Sequence, residues 1–263
     1  GIPLLLVHGG GSSTGTWADL IVRLRDAGRT VVAVDLLGHG ESGHGNGDFS
    51  LGSNASRLRD LLDHLGIARV HLVGHSLGGG VAMQFQYQFP QRVESMTLVS
   101  SGGLGAEVSL GLRAASLPGS EVVFRMISSE HGLAWVRRAT RGLVATGSMS
   151  TGMADKTVEK LQRLREDGRR KAFLATVRSV VGPQGQLVRA TSRFGAVTDP
   201  STVLIVWGDA DATLPMSHGL QAHELLPGSG FVAVPGAGHH PHVDAPDLVG
   251  ESILRHVLEV EGG

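Results

Sequence analysis

Six short apolar runs recur along this chain, and in each of them the apolar residues follow one another without alternation. Such runs are typical of strands that are buried on both faces of a sheet. They lie at residues 3–9, 30–35, 69–75, 95–101, 201–208 and 230–236. Amphipathic stretches of helical length separate most of them, at residues 16–28, 51–66, 77–89, 215–226 and 246–260. Strand followed by helix, repeated, predicts an α/β fold with a doubly wound, mainly parallel sheet of about six strands.

The segment 104–196 interrupts this rhythm, because it offers helical patterns but no apolar strand run. Turn-rich sequences mark both of its ends, SSGGLG before it and VTDPS after it. We therefore expect a core made of residues 1–103 and 197–263, with a helical lid at 104–196 inserted between two strands. Open α/β sheets bind ligands at the carboxyl ends of their strands, so a lid at that edge would cover the site.

The predicted lid is also the basic part of the chain. It carries 15 Lys and Arg against 7 Asp and Glu, a net charge of +8, whereas the whole chain has a net charge of −1. This charge would steer anionic substrates or favour an anionic lipid surface. We favour a solvated arginine face, because charged side chains on helices usually point outward.

Composition limits the cellular compartments and the kinds of catalysis that this chain can use. The chain has no cysteine, which excludes disulfides and thiolate nucleophiles and fits a reducing compartment without proving one. No apolar stretch approaches the roughly 18 to 20 residues that span a bilayer. The first residues, GIPLLLVHGG, lack the basic region and the cleavage site of a signal peptide. We expect a soluble, cytoplasmic protein that acts on a small molecule, with no nucleic-acid partner and no stable membrane insertion.

Two Gly-x-Ser-x-Gly matches compete for the role of nucleophile, one centred on Ser13 and one on Ser76. The pattern alone carries little weight in a chain with 39 glycines, so the context has to decide. Ser76 directly follows a predicted strand and precedes a helix, the arrangement that exposes a nucleophilic serine at a tight turn. Five residues separate Ser13 from its strand, which leaves no such turn. We therefore assign Ser76 as the nucleophile.

A serine nucleophile needs a general base that a carboxylate orients. Asp209 and Asp211 follow one predicted strand, and His239, His240 and His242 follow the next. All of them lie at predicted carboxyl ends of strands, and the chain order Ser, Asp, His is one known order for a catalytic triad. Spacing alone leaves both aspartates and all three histidines as candidates.

Five motifs together make the chain resemble the α/β-hydrolase family over nearly its whole length outside the predicted lid. They are HGGG at 8–11, DLLGHGES at 35–42, GHSLGG at 74–79, Trp-Gly-x-x-Asp-x-x-x-Pro at 207–215, and Gly-x-Gly-His at 236–239 followed by Asp244 and Pro246. The resemblance implies a triad of Ser76, Asp211 and His239. One oxyanion donor is then the N–H of Leu77, the residue after the nucleophile. By resemblance, the other is the N–H of Gly10.

Two further glycine-rich motifs resemble nucleotide-binding loops, but neither matches such a loop in full. HGGGSSTG at 8–15 fails as a phosphate loop because Thr16 stands where a lysine is needed, and we expect its serines and threonine to cap the next helix. GHGESG at 38–43 matches a dinucleotide fingerprint, but no helix follows it at once.

Polar residues beside the expected triad also have ordinary explanations. We interpret Asp209 as a turn residue that bonds its own backbone. His240 and His242 are interpreted as neutral lining, because nothing elsewhere supplies a matched set of metal ligands. We expect neither a metal nor a cofactor.

The resemblance implies a serine hydrolase that cleaves a carboxylic ester, a lactone or a thioester of a small to medium, largely apolar substrate. Several apolar residues of the lid are available to line its pocket, although we expect most of them to pack the lid helices against each other: Phe124, Met126, Ile127, Trp135, Val136, Met149, Met153 and Phe173. A carbon–carbon bond hydrolase or a cofactor-free lyase or oxygenase would use the same triad. A ligand-binding module that has kept the triad is the alternative without catalysis.

Relatives of this family usually carry a β-hairpin before the strand that leads into HGGG. This sequence begins only a few residues ahead of that strand, so we expect an uncovered sheet edge beside residues 30–35, which is an aggregation hazard. Either the sequence is truncated, or another segment or a second copy in a homodimer covers the edge.

Overall fold

A computed structural model describes residues 1–44, 47–147, 151–197 and 199–262. Its main sheet has six strands: β1 (Leu4–Val7), β2 (Val31–Val34), β3 (Val70–His75), β4 (Val93–Val99), β7 (Val203–Gly208) and β8 (Gly230–Val234). The remaining two strands, β5 (Val181–Gly182) and β6 (Gly185–Gln186), form a separate antiparallel hairpin. Each predicted apolar run overlaps one strand of the main sheet, although β4 begins two residues ahead of the run at 95–101.

The order of the main sheet is β2-β1-β3-β4-β7-β8, and every pair in it is parallel. The predicted doubly wound, parallel α/β fold is therefore confirmed. The strand order reverses direction around β1 and β3, which is where such sheets bind ligands. β2 is the edge strand of the described sheet on that side.

Helices cover both faces of the sheet. They are α1 (Ala18–Asp26), α2 (Leu51–His64), α3 (Leu77–Gln88), α9 (Ser217–Leu225), α10 (Pro241–Asp244) and α11 (Pro246–Gly262). Leucines and valines of α1 and α11 pack against one face, and apolar residues of α2, α3 and α9 pack against the other. The helix expected at 16–28 begins differently, as a 3-10 turn over Thr14–Trp17 that leads into α1.

In the described part of the chain, five α-helices lie between β4 and β7: α4 (Leu110–Ser116), α5 (Ser120–Ile127), α6 (Glu130–Ala145), α7 (Thr151–Arg163) and α8 (Asp167–Val180). With the β5–β6 hairpin, they are called the helical insertion below. The hairpin is a correction, because the sequence predicts no strand in this segment. Each of its strands is only two residues long, and their four residues include two glycines and one glutamine. No apolar run in the sequence therefore indicates them.

The helical insertion has its own apolar cluster, which includes Phe173, Leu174 and Val177 of α8. It is also attached to the loops at the carboxyl ends of the strands. Ala172 of α8 lies directly against Gly38, and the Arg169 guanidinium donates to the carbonyl of Gly40. The insertion thus lies over the edge of the sheet at which the motif residues gather.

Candidate active site

Ser76 occupies a strained turn between β3 and α3. Its backbone has φ = 53°, in the left-handed region that side chains other than glycine rarely adopt. The turn is tight enough to require glycine on both sides. A Cβ on Gly74 would overlap the carbonyl of Gly78, and a Cβ on Gly78 would overlap the carbonyl of Val7. These contacts explain the Gly-x-Ser-x-Gly pattern physically, and the partly exposed Ser76 is left facing the edge of the sheet.

Three side chains from three separate loops form a continuous hydrogen-bonded chain at this edge. His239 Nε2 lies 2.9 Å from Ser76 Oγ, and His239 Nδ1 lies 2.8 Å from Asp211 Oδ2. The carboxylate oxygen can only accept, so Nδ1 carries a proton and Nε2 is free to accept one from the serine hydroxyl. The structure thus brings Ser76, Asp211 and His239 together, although 163 residues separate the serine from the histidine.

Backbone groups fix the Asp211 carboxylate. Its Oδ1 accepts from the N–H groups of Thr213 at 2.8 Å and Leu214 at 2.9 Å, and its side chain is fully buried. Asp209 has a different partner from the one expected, because its Oδ1 accepts from the N–H of Gly236 at 2.7 Å, across the gap between two loops. The expectation that Asp209 bonds its own backbone is therefore wrong. Its bond ties the loop of the aspartates to the loop of the histidines.

The N–H groups of Leu77 and Gly10 are both available to an outside acceptor. Across the ranges that the structure describes, neither donates to a protein atom. Leu77 opens α3, where the first N–H groups have no partner within the helix and carry the positive end of its dipole. A Cβ on Gly10 would lie 3.8 Å from Leu77 Cδ2, so the two residues are neighbours. Two backbone donors therefore lie beside Ser76.

The loop that carries Gly10 is held by its neighbours. His8 Nδ1 donates to the carbonyl of Gly9 at 2.7 Å, and His8 Nε2 accepts from the N–H of Leu36 at 3.1 Å. Asp35 Oδ1 accepts from the N–H of Thr14 at 2.6 Å. Ser13 precedes the 3-10 turn but makes no capping bond through its side chain, so the expected serine cap is wrong and Asp35 supplies an acceptor in its place.

A cluster of imidazoles surrounds the base. The ring of His75 lies 5.0 Å from that of His239, 4.9 Å from that of His240 and 4.5 Å from that of His242. Burial, followed by the neighbouring histidines, holds the pKa of His75 well below its ordinary value, and burial does the same to the pKa of His242. Burial lowers the pKa of His240 to about 2. These three rings are therefore neutral at physiological pH.

The sequence alone does not indicate a role for His75, yet this residue contacts the base directly. His75 Nε2 donates to the backbone carbonyl of His239 at 2.7 Å. Its position beside the nucleophile, within GHSLGG, is the one indication that the sequence offers. That position does not distinguish a histidine that holds the base from a histidine that is merely buried in the core.

The candidate lining residues of the insertion do not share one environment, and three of them are partly buried: Phe124, Ile127 and Val136. Phe173 lies over the glycine loop, with its ring 3.9 Å from a Cβ placed on Gly10. Met126 and Trp135 are 65% and 69% exposed, so their assignment to the pocket wall is not supported. Met149 lies outside the described residues, as does the side chain of Met153.

Within the residues that the structure describes, no group of three or more His, Cys, Asp or Glu side chains is arranged to hold a metal ion. No helix there combines the length and the apolar character that crossing a bilayer requires.

Known proteins are similar to this chain in sequence and in structure. An uncharacterized protein of Mycobacterium tuberculosis (strain ATCC 25618 / H37Rv) is 41% identical over 248 residues, which cover 94% of this chain and 72% of that protein. A 2-hydroxy-6-oxo-6-phenylhexa-2,4-dienoate hydrolase of Burkholderia cepacia is 26% identical over 253 residues, covering 93% of this chain and 85% of the hydrolase. The solved structure of a thermophilic esterase from Thermogutta terrifontis is similar to this fold with a TM-score of 0.71 and 25% identity, covering 99% of this chain and 90% of the esterase.

The family model for the alpha/beta hydrolase fold matches residues 2–246. This match includes every motif quoted from the sequence, so the resemblance is confirmed, and the chain belongs to the alpha/beta hydrolase fold family.

Proposed function

We propose that this chain is a serine hydrolase that cleaves a carboxylic ester through an acyl-enzyme, with Ser76, His239 and Asp211 as its catalytic triad. The observation that carries the proposal is the pair of hydrogen bonds from Ser76 Oγ to His239 Nε2, at 2.9 Å, and from His239 Nδ1 to Asp211 Oδ2, at 2.8 Å. A non-catalytic role would not need the strained backbone of Ser76 or the two unused N–H groups beside it.

In the proposed reaction, Ser76 Oγ attacks the carbonyl carbon of the ester while His239 Nε2 takes the serine proton. The N–H groups of Leu77 and Gly10 stabilise the oxyanion of the tetrahedral intermediate, and each such donor contributes on the order of 3 kcal/mol in the transition state. His239 then gives the proton to the leaving alcohol. Water, deprotonated by His239, attacks the acyl-enzyme and releases the carboxylic acid and free Ser76.

We further propose that the helical insertion acts as a lid and sets the size of the substrate. Phe173 lies against the glycine loop, so an apolar group bound at the carbonyl site would contact its ring. This arrangement supports a small to medium, largely apolar acyl compound as the partner. We also propose a cytoplasmic location, which fits a chain that has no cysteine and therefore forms no disulfides in an oxidising compartment.

Hydrolysis of p-nitrophenyl esters with acyl chains of two to eight carbons tests the proposal. Wild-type protein should release p-nitrophenol and react covalently with a fluorophosphonate, whereas Ser76→Ala should do neither and should unfold at the wild-type temperature. Ser13→Ala is the matched control, because Ser13 lies in the competing motif and is buried. Wild-type activity in Ser76→Ala, or no labelling of the wild type, would overturn the proposal.

Cleavage of a carbon–carbon bond on the same triad is the second candidate. It is supported by the hydrolase of Burkholderia cepacia, which is named for the substrate 2-hydroxy-6-oxo-6-phenylhexa-2,4-dienoate and which aligns over 93% of this chain. A direct comparison of kcat/KM for that dienoate and for p-nitrophenyl butyrate would discriminate between the two reactions.

A further inference from the structure

Lys160 lies on the side of α7 that faces the glycine loop. Its Nζ stands 4.7 Å from the centre of the Phe173 ring. Its stem lies against Gly11, where an added Cβ would approach Lys160 Cε to 2.5 Å. Gly11 itself has φ = 72°, so the loop needs glycine there for its conformation as well as for this contact. A lysine of the helical insertion is thus packed directly on the loop that supplies an oxyanion donor.

Lys160 differs from the other two lysines of the chain, because no carboxylate in the described part of the chain forms an ion pair with it. Lys156, one turn earlier on α7, lies 3.6 Å from Asp244, and Lys171 lies 2.7 Å from Asp167. Among the described residues, no acidic group stabilises the ammonium of Lys160, and burial lowers its pKa to about 8. A partly buried cation without a counter-ion is costly, so an anionic group bound beside it would be favoured.

The surroundings of Lys160 place this cation close to the proposed site of reaction. The same Phe173 ring that the ammonium overlies lies against both Gly10 and Gly11. The charge of Lys160 also acts on His240, the neighbour of the proposed base, and on the buried His39. Both histidines have lowered pKa values and are neutral at physiological pH. Since an imidazole is either neutral or positively charged, neither ring supplies the missing negative charge.

Two simpler roles would leave Lys160 without a ligand. Its stem alone could fill space over Phe173, with the charge directed toward water. Alternatively, it could add to the net charge of +8 on residues 104–196 and attract anions from a distance, as any basic residue of the insertion would. Both roles predict that Lys160 has no special effect on one class of substrate when it is compared with another lysine of the insertion.

We propose that Lys160 is the counter-ion for a carboxylate on the substrate, so that the site favours acyl compounds that carry a second, ionised carboxyl group. This inference rests on the proposed function, because it assumes that the substrate carbonyl binds beside Ser76 and Gly10. It deepens that function by naming a substrate class: half-esters of dicarboxylic acids, or other acyl compounds with a free carboxylate.

The test compares two esters of similar length in the intact protein, neutral p-nitrophenyl butyrate and anionic mono-p-nitrophenyl glutarate. The measured quantity is the ratio of kcat/KM for the anionic ester to that for the neutral one. Lys160→Met keeps the length of the stem and removes the charge, and it should lower this ratio about tenfold, the effect of one lost charge-assisted contact. Lys171→Met removes the same charge from a lysine whose side chain is 73% exposed and should leave the ratio within twofold of wild type.

A ratio that is unchanged in Lys160→Met, or that falls equally in Lys171→Met, would overturn the proposal in favour of the packing or the long-range role. A binding measurement keeps this result separate from the fate of the proposed function. Monomethyl glutarate is titrated calorimetrically into Ser76→Ala and into Ser76→Ala with Lys160→Met, with methyl butyrate as the neutral probe. Binding of the anionic probe should weaken about tenfold in the double variant. Equal binding of monomethyl glutarate to both proteins would overturn the proposed carboxylate site, even if the wild type hydrolyses esters. Weaker binding to the double variant would support the site, even if no ester is turned over.

Discussion

His75 Nε2 donates to the backbone carbonyl of His239 at 2.7 Å. His75, which directly precedes Ser76, thus holds the main chain of His239, the residue that contacts Ser76. The other ring nitrogen, Nδ1, is buried and has no hydrogen-bond partner in the described part of the chain, which fits a neutral imidazole with a single donor. The position of the base relative to Ser76 therefore depends on a bond between the two loops.

Replacing His75 by phenylalanine keeps a ring in place and removes the donor. The buried carbonyl of His239 would lose its partner, which costs about 1 to 3 kcal/mol of unfolding free energy. We expect urea denaturation to show this loss and ester hydrolysis to show a lower kcat, since the base is less well positioned. His64→Phe, at an exposed position at the end of α2, is the control. Wild-type kcat in His75→Phe would show that the bond does not position the base.

Gly78 offers a test of the tight turn. Glycine to alanine within a helix usually stabilises a protein by about 1 kcal/mol. At Gly78 the sign should reverse, because the new Cβ would overlap the carbonyl of Val7 on β1. We expect Gly78→Ala to lose more than about 2 kcal/mol of unfolding free energy and Gly142→Ala, in α6 with no atom within 4 Å of the added Cβ, to gain stability. Thermal and chemical denaturation of both variants would measure these changes in unfolding free energy. A Gly78→Ala variant as stable as wild type would contradict the close approach of α3 to β1.

Asp211→Asn should leave the fold intact and remove nearly all of the activity. The asparagine oxygen can still accept from Thr213 and Leu214, but its NH₂ group then faces His239 Nδ1. That geometry favours the tautomer with the proton on Nε2, which cannot accept the serine proton, and a change of this kind has lowered kcat about 10⁴-fold in another triad. Asp209→Asn keeps an acceptor for Gly236 and should retain activity within twofold. Comparable losses in both variants would argue against a triad role for Asp211.

Much of the fold could be predicted from the sequence, because parallel strands that are buried on both faces consist of continuous apolar runs. Ser76 could be chosen over Ser13 for a similar reason, since a strand directly before the serine and a helix directly after it leave only one backbone path. The local sequence pattern was enough to predict those parts of the structure that residues close together in the chain determine.

Contacts between distant segments could not be predicted in this way. Nothing near Asp209 in the sequence announces Gly236 as its partner, and nothing near Lys160 announces Gly11. The β5–β6 hairpin was missed because its four residues carry no apolar alternation. Trp135 was a candidate for the pocket wall because of its apolar character, but side-chain type does not tell which face of an inserted helix meets solvent.

The stability of the protein should fall in mild acid. Burial lowers the pKa of His39 from 6.5 to about 4. Below pH 6.5 the unfolded chain therefore binds a proton that the folded protein does not, and stability is lost as the pH falls from 6.5 toward 4. For His39 alone, the loss between pH 7 and pH 5 is about 2 kcal/mol. Urea denaturation at both pH values should show a smaller loss in His39→Asn than in wild type, by about this amount. An equal loss in the two proteins would mean that His39 is protonated in the folded state.

Gln186 should hold the helical insertion to the core. Its Oε1 accepts from the N–H of Gly103 at 2.6 Å, and its Nε2 donates to the carbonyl of Glu107 at 3.1 Å. One side chain thus joins the segment that leaves β4 to the hairpin that leads back toward β7. Gln186→Ala would leave the buried N–H of Gly103 without its acceptor, which costs about 1 to 3 kcal/mol.

The loss should be local, because the six-stranded sheet does not depend on this bond. We expect limited proteolysis to cut the helical insertion of Gln186→Ala faster than that of wild type, while cleavage of the core keeps its wild-type rate. Gln184→Ala, at an exposed position in the same hairpin, should behave as wild type. If both variants are cut at the wild-type rate, the insertion is held mainly by the packing of α8 on the glycine loops, and the contact of Ala172 with Gly38 becomes the attachment to test.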